Sequence, residues 1–258
     1  MTRAAASFAT WRRPQPHRKR HPGLLSTVCA LLRVVVVGLF ILTFIAQPFR
    51  IPSGSMEPTL DIGDFVLVSK TDYDPHAPSA TVWGRIEAAL LPPAVLARGD
   101  LVVFHFPPDP AQHLVKRVVG LPGERLRLHN GRVFVNGKPL VESYAMYTPA
   151  EPDVFRDEFP NLRQADPSVD PHWWLALRQL SVTGEITVPA NEYFVLGDNR
   201  NNSEDSRYWG FVPRNMVVGR PLLVYFAVPN GADSPEGGPL DRLRWLMGWV
   251  HKRVGVPR

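Results

Sequence analysis

The sequence predicts a mainly β body behind one N-terminal transmembrane helix. Three observations predict it. Short runs of β-branched and aromatic residues, such as Phe65–Val68, Leu101–Phe106 and His113–Val119, are bounded by turn signals. The chain holds 27 Pro and 19 Gly among 258 residues, which favours many turns over long helices. One apolar stretch, Leu24 to Phe49, is interrupted mainly by Arg33, and roughly 20 apolar residues suffice to span a bilayer.

Residues 1–23 are polar and basic, with Arg12-Arg13 and Arg18-Lys19-Arg20, and are expected to form a disordered cytoplasmic arm. Residues 1–50 carry eight Lys or Arg and no acid, so the net charge of +5 belongs to this end. The remainder holds 21 basic and 24 acidic residues, a net of −3. That distribution favours a membrane over a nucleic acid as partner, with a basic nucleic-acid-binding tail as the competing reading of the arm. Val34–Ala46 is too short to span. Extended back past Arg33, whose side chain can snorkel, the stretch suffices, and a transmembrane helix is expected over 24–47 with the body outside the cytoplasm. A cleavable leader is the alternative, but bulky Phe44 and Pro48 flank the bond after Ala46 unfavourably. The single cysteine, Cys29, rules out an intrachain disulfide.

Beyond the anchor, Gly63-Asp64 turns into the strand Phe65–Val68. Residues 72–97 read as an excursion, with a short helix from Ala80 to Leu96 interrupted at Pro92-Pro93. Arg98-Gly99-Asp100 turns into Leu101–Phe106. In the next strand, alternation sets Leu114, Lys116 and Val118 on one face and Val115, Arg117 and Val119 on the other. Both faces are equally apolar, so the pattern leaves open which cation is buried. Arg125–Leu140 carries Asn130-Gly131 and Asn136-Gly137, both type I′ turn signals. Residues 141–180 lack periodicity, although His172–Leu177 reads as a helical turn or an apolar patch. Strand character returns over Ile186–Leu196, then a polar loop, Gly197–Arg207. Val217–Val228 is a long strand whose Pro221 argues for an edge position. In the tail, 231–258, Trp245 and Trp249 would share one side of an amphipathic helix and could seat the body at the lipid headgroups.

The stretch Ile51-Pro52-Ser53-Gly54-Ser55-Met56-Glu57-Pro58-Thr59-Leu60 follows the anchor directly. Its prolines forbid a regular helix or central strand, and the expected result is a stiff, exposed turn presenting a hydroxyl. A plain Ser/Gly/Pro linker is the alternative. A serine attacks only once a base removes its proton. The eight histidines are scattered, and His113 is the nearest candidate in the body. A lysine also serves if neutral: its usual pKa of about 10.4 falls by up to ~3–5 units on burial. Lys116, in the run Leu-Val-Lys-Arg-Val-Val, has the apolar company for that; a solvated strand residue is the competing reading. With no HExxH and no paired Cys/His set, no metal or other cofactor is expected. The loop 197–207 alternates carboxylates and guanidiniums. A calcium loop would need glycine at its sixth position and glutamate at its twelfth, and both are missing. Flanked by Phe194-Val195-Leu196 and Tyr208-Trp209-Gly210-Phe211, the loop would lie against a core, where its polar groups must pair.

Ile-Pro-Ser-Gly-Ser-Met-x-Pro-Thr-Leu (51–60), Lys-Arg-Val-Val-Gly-Leu-Pro-Gly (116–123) and Gly-Asp-Asn-Arg-x-x-Ser-x-Asp-Ser-Arg-x-Trp-Gly (197–210) resemble motif boxes of bacterial type I signal peptidases. Gly-Asp-Leu-Val-Val-Phe (99–104) resembles a fourth. The resemblance covers roughly 47–228, excluding 72–97 and the poorly matched 141–180. It implies a signal-peptidase-like antiparallel β-fold, with a catalytic core of 48–124 and 184–230 and an inserted β-rich cap of 125–183. It implies a Ser/Lys dyad with an acyl-enzyme intermediate. In it Ser55 is nucleophile, Lys116 general base, and the Ser55 N–H and Ser53 hydroxyl form the oxyanion hole. Ser203 would orient the amine, while Asp205 with Arg207, and Asp198 with Arg200, would hold the loop. Ile51, Pro52, Met56, Leu60, Leu114 and Val115 would wall the substrate pocket.

The implied substrates are preproteins cut after a small residue, docked as an extended strand along a sheet edge. The implied location is the bacterial cytoplasmic membrane, single-pass, with the N-terminus inside. Signal peptides and lipid are the expected partners, without nucleic acid, and the expected state is a monomer. Only one span is visible where other members have two, which leaves the envelope type open. Two rival readings stand: a Ser/Lys peptidase dedicated to one secretion or pilus system, and a non-catalytic envelope adaptor.

Overall fold

The computed structural model describes residues 24–40, 46–69, 96–163, 166–228, 245, 247–248 and 253–257. The chain divides into two units after Phe40. In the first, helix α1 (Leu24–Phe40) exposes its leucines and valines along its length. Its 17 residues measure about 26 Å at ~1.5 Å each, against a hydrocarbon core of ~30 Å. No described helix is long and apolar enough to cross a membrane. The helix expected through residue 47 overruns, because Ala46 and Gln47 already belong to strand β1 (Ala46–Arg50). Pro48 steers the residue before it to extended backbone.

In the second unit β1 is followed by β2 (Asp64–Ser69), β3 (Leu101–Phe106) and β4 (Asp109–Gly120). Next come β5 (Arg125–His129), β6 (Arg132–Val135), β7 (Lys138–Pro139) and two helices, α2 (Val154–Asp157) and α3 (Pro171–Leu180). The chain continues through β8 (Ser181–Val182), β9 (Glu185–Thr187), β10 (Glu192–Leu196), α4 (Ser206–Trp209), β11 (Val212–Pro213) and β12 (Val217–Ala227). One seven-stranded sheet has the order β1-β2-β12-β3-β4-β10-β11, and a five-stranded sheet has the order β7-β6-β5-β9-β8; all named pairs are antiparallel.

Local chemistry accounts for the second sheet. Asn130 (φ 50°) and Gly131 (φ 70°) close the β5–β6 hairpin, and Asn136 with Gly137 closes β6–β7, both in the left-handed backbone the type I′ turn requires. Leu126 and Leu128 point inward while Arg127 stacks on Phe134 outside, 4.3 Å from its ring centre. Helix α3 starts where Asp170 accepts hydrogen bonds from the His172 and Trp173 amides, with Pro171 in the first turn. Trp173 and Leu177, one turn apart, are its buried pair.

Two expectations need correction. Strand β12 is not an edge: it lies between β2 and β3. Pro221, which lacks an N–H, is tolerated because the pairing with β2 shifts register between Pro221 and Leu223. The run 186–196 is two strands in two sheets, so the five-stranded sheet continues to Thr187, past the expected cap boundary at 183. The excursion at 72–97 falls outside the described residues up to Val95, as do the N-terminal arm and Trp249. Of the tail, Arg253 pairs with Asp61 at 3.0 Å and Asp64 at 2.5 Å, and Gly255 bridges to Val224.

Both sheets share one core. Phe104, Val118, Phe194 and Leu196 of the larger sheet pack with Leu126, Leu128, Val133, Phe155, Phe159 and Trp173. A second cluster, with Ile51, Met56, Leu60, Val66, Leu101, Val103 and Val224, fills the space under the 51–60 turn. The Phe194 ring, fully buried, sits 5.5 Å from Phe159 and 6.0 Å from Phe211. Phe194→Ala should therefore lower unfolding stability by about 3–5 kcal/mol, measured by denaturant titration.

Candidate active site

Residues Gly54–Met56 form one 3-10 turn, entered from Ser53 in extended conformation (φ −134°, ψ 153°). Ser55 sits at its middle. Below it the turn is nailed down by Met56 and Leu60, both buried in the second core, and by the Leu60 amide donating to the Met56 carbonyl at 2.9 Å. The Ser53 and Ser55 hydroxyl oxygens are 3.4 Å apart.

From β4, Lys116 reaches Ser55 Oγ at 2.7 Å and Ser203 Oγ at 3.1 Å. Only 3% of the residue is exposed. Burial drives its pKa down from 10.5 to about 8, against the opposing field of Asp205. Sequence alternation left open which cation of β4 is buried; both are. Both faces of β4 meet a core: Leu114, Val118 and Val119 belong with the larger cluster and Val115 packs on the smaller. Arg117 is paid for by a bidentate pair to Asp198, at 2.8 and 2.6 Å, and by the Gly99 carbonyl at 2.7 Å. This corrects the expected pairing of Asp198 with Arg200. Arg200 instead forms a two-pronged pair with Glu142, at 2.6 and 2.5 Å.

Within the loop 197–207 several polar groups pair with one another. Asp205 accepts from Arg207 Nε and Nη2, both at 2.8 Å, and from the Gly197 amide at 3.1 Å. Burial opposes ionisation of Asp205, but the guanidinium outweighs it and holds the carboxyl below its usual range. Arg207 also donates to the carbonyls of Arg200 and Ser203, fixing the backbone that carries the Ser203 hydroxyl. Asn199 joins the loop to the serine turn: its amide donates to the Ser55 carbonyl at 3.1 Å and its side chain to the Gly54 carbonyl at 3.3 Å. Gly197 has no room for a side chain. A Cβ there would lie 2.2 Å from Ser203 Oγ and 2.5 Å from the Ser55 carbonyl.

A hydroxyl, a buried amine and a second hydroxyl stand in one hydrogen-bonded row, and known proteins bear on the chemistry of such a row. The model of the signal peptidase family, peptidase S26, matches residues 24–226. The chain belongs to that family. It is a serine peptidase of the signal peptidase I type. A signal peptidase I of Pseudomonas fluorescens is 35% identical over 225 residues, covering 82% of this chain and 75% of that one. One from Aquifex aeolicus is 31% identical, covering 85% and 91%. A solved signal peptidase I structure from Enterococcus faecalis is 32% identical, with a TM-score of 0.36 over 49% of this chain and 96% of that chain.

In this signal peptidase the serine and lysine open onto a cleft of about 490 Å³. It is lined by Ser53, Phe106, Gln112, Leu114, Ser168, Asn201, Asn202, Ser203, Glu204, Tyr208 and Trp209. Of the six residues expected to wall the substrate pocket, Leu114 lies on this cleft. Ile51, Met56 and Leu60 are buried in the second core, Val115 packs against it half-buried, and Pro52 is exposed. His113 stands away from the row, its ring 4.4 Å from His105 and 5.2 Å from Phe49. Among the described residues no His, Cys, Asp or Glu group could hold a metal ion.

Sequence reasoning missed the segment 142–148, which clasps the loop. Met146 exchanges backbone hydrogen bonds with Asp198 and Arg200, Thr148 meets Asn199 at 3.1 Å, and Tyr144 lies 4.0 Å over the Arg117 guanidinium. No periodicity marks these contacts. An unpaired charge left in the interior is costly, so Glu142→Ala should destabilise the protein by about 3–5 kcal/mol, read by denaturant unfolding. The pair Glu142→Ala with Arg200→Met should recover much of that loss.

Proposed function

We propose that this chain is a membrane-anchored endopeptidase that removes signal peptides from exported preproteins, cutting after a small residue by a Ser55/Lys116 dyad. The observation that carries the reading is the 2.7 Å approach of the buried Lys116 amine to Ser55 Oγ. With a pKa of about 8, a neutral fraction on the order of a tenth is available at pH 7. That lone pair takes the Ser55 proton as Oγ attacks the scissile carbonyl, and Ser203 accepts an N–H of the amine and sets its direction. The oxyanion would be met by the Ser53 hydroxyl and the Ser55 amide, a kind of donor whose loss typically costs ~10²–10³ in rate. Lys116 then passes the proton to the leaving amine, and water resolves the acyl-enzyme by the same route in reverse.

The ion pairs Asp198–Arg117 and Asp205–Arg207 do no proton chemistry on this reading. They fix where Ser203 and Lys116 stand. The substrate would lie extended beside the unpaired flank of β4 near Leu114 and Val115, adding a strand through main-chain hydrogen bonds. The apolar stretch from Leu24, preceded by its Lys/Arg cluster, supports an anchor in the bacterial cytoplasmic membrane, with the peptidase body on the outer side. Such an anchor reduces the search for substrate to the surface where signal segments already lie.

The test is preprotein processing in vitro by the full chain. Ser55→Ala and Lys116→Ala should each remove activity by ~10³-fold or more while the protein stays folded, and His113→Ala should leave it. Activity surviving in Lys116→Ala but lost in His113→Ala would require a conventional Ser/His mechanism.

A further inference from the structure

The cleft holds an ionisable side chain that the dyad does not use. Among the described residues that line it, Lys116 and Glu204 are the two that carry charge at neutral pH. Burial pushes the Tyr208 phenol up to about 12, so it stays neutral. Asp205, the next carboxylate along the chain, is fully buried and committed to Arg207. Glu204 by contrast is exposed, and its field adds to those that raise the Lys116 pKa against burial. It follows Ser203 directly, and Ser203 Oγ accepts from Lys116 Nζ at 3.1 Å.

The chemistry says which part of a substrate lies beside Lys116. During acylation a bond forms between Ser55 Oγ and the scissile carbon, and the bond from that carbon to nitrogen breaks. The Ser55 proton moves to Lys116 Nζ and from there to the departing nitrogen. A general acid has to lie within hydrogen-bond reach of the atom it protonates, about 2.6–3.2 Å. The departing nitrogen is therefore beside Lys116, in a cleft whose lining includes Ser168, Asn201, Asn202 and Glu204, and Glu204 adjoins the serine that holds the Lys116 amine. Once free, that nitrogen is an α-amine with a pKa near ~7.7–8.0 and gains a second proton from water at neutral pH.

Resting on the function proposed above, we propose that Glu204 determines specificity for the first two residues after the scissile bond. Its carboxylate favours a cationic side chain there and disfavours an acidic one.

The experiment uses the full chain in detergent micelles at low ionic strength, where exposed charges are least screened. The substrates are signal-sequence peptides identical except for Lys, Gln or Glu at the first or second position after the bond. Assays at about pH 9.5 keep Lys116 neutral in every variant, and ratios between peptides cancel any change in basal rate. The parent enzyme should show a kcat/KM ratio of Lys to Glu peptide of about fivefold at one or both positions, the size expected of an exposed pair. The ratio should fall to about one in Glu204→Gln and invert in Glu204→Lys. Normal cleavage of the Gln peptide with the same Lys-to-Glu ratio in all three proteins overturns the role of Glu204 alone. Failure of the parent enzyme to cut the Gln peptide overturns the proposed function, and this inference with it.

Discussion

The site depends on a buried lysine that forms no salt bridge among the described residues. Lys116 is buried within reach of Asp205, whose charge is the strongest influence holding the amine protonated. Were that carboxylate free to turn to the amine, the two would form an ordinary buried ion pair and the lysine would remain charged at every physiological pH. The Arg207 guanidinium prevents this by taking both carboxylate oxygens. Arg117 does the same with Asp198 a few ångströms along β4. Buried pairs of this kind contribute little net stability. Their effect here is to assign each acid to a guanidinium and leave the amine facing two hydroxyls.

Much of the rest of the fold serves that arrangement. The larger sheet supplies β4 with Lys116 and Arg117, and β10 delivers the chain into the polar loop at Gly197. The five-stranded sheet and its helices share one core with it, so Phe159 and Trp173 press on the strand and helix that flank the loop. The 142–148 segment then crosses the loop from the other side. None of the loop's residues is apolar, and its buried side chains, Asp198, Asn199, Arg200, Ser203, Asp205, Ser206 and Arg207, each have a hydrogen-bond partner, which is what allows so polar a segment to be buried.

How much of this could be read from the chain varies with the physics of each part. Strand Leu101–Phe106 and the Asn-Gly hairpins were legible because their signals are local: alternation, and a backbone that Asn and Gly tolerate at positive φ. The serine turn, the β4 lysine and the Gly197–Arg207 loop were legible only together, as motif boxes whose residues and order carried the resemblance to the family. The partner of Arg200 was not, because Glu142 lies 58 residues away in a stretch without repeat. Nor was the placement of β12, since a proline forbids one ladder hydrogen bond and says nothing about a bulge that can absorb the loss. The expected pocket walls Met56 and Leu60 were correctly placed next to the serine in sequence, yet their side chains point down into the core. The cleft is lined instead by residues contributed from β3, β4 and the loop, which only the fold brings together.

The central claim is that burial, more than any neighbouring charge, makes the Lys116 amine a base, and the pH dependence of Ser55 acylation by a small uncharged electrophile tests it most directly. Because the reactive form is the neutral amine, the rate should rise about tenfold per pH unit below the lysine's pKa and level off above about 8, and the response should vanish in Lys116→Ala. A rate that is flat from about pH 5 to 10, or one whose midpoint lies near the ~6.5 of an ordinary histidine and disappears in His113→Ala, would contradict it.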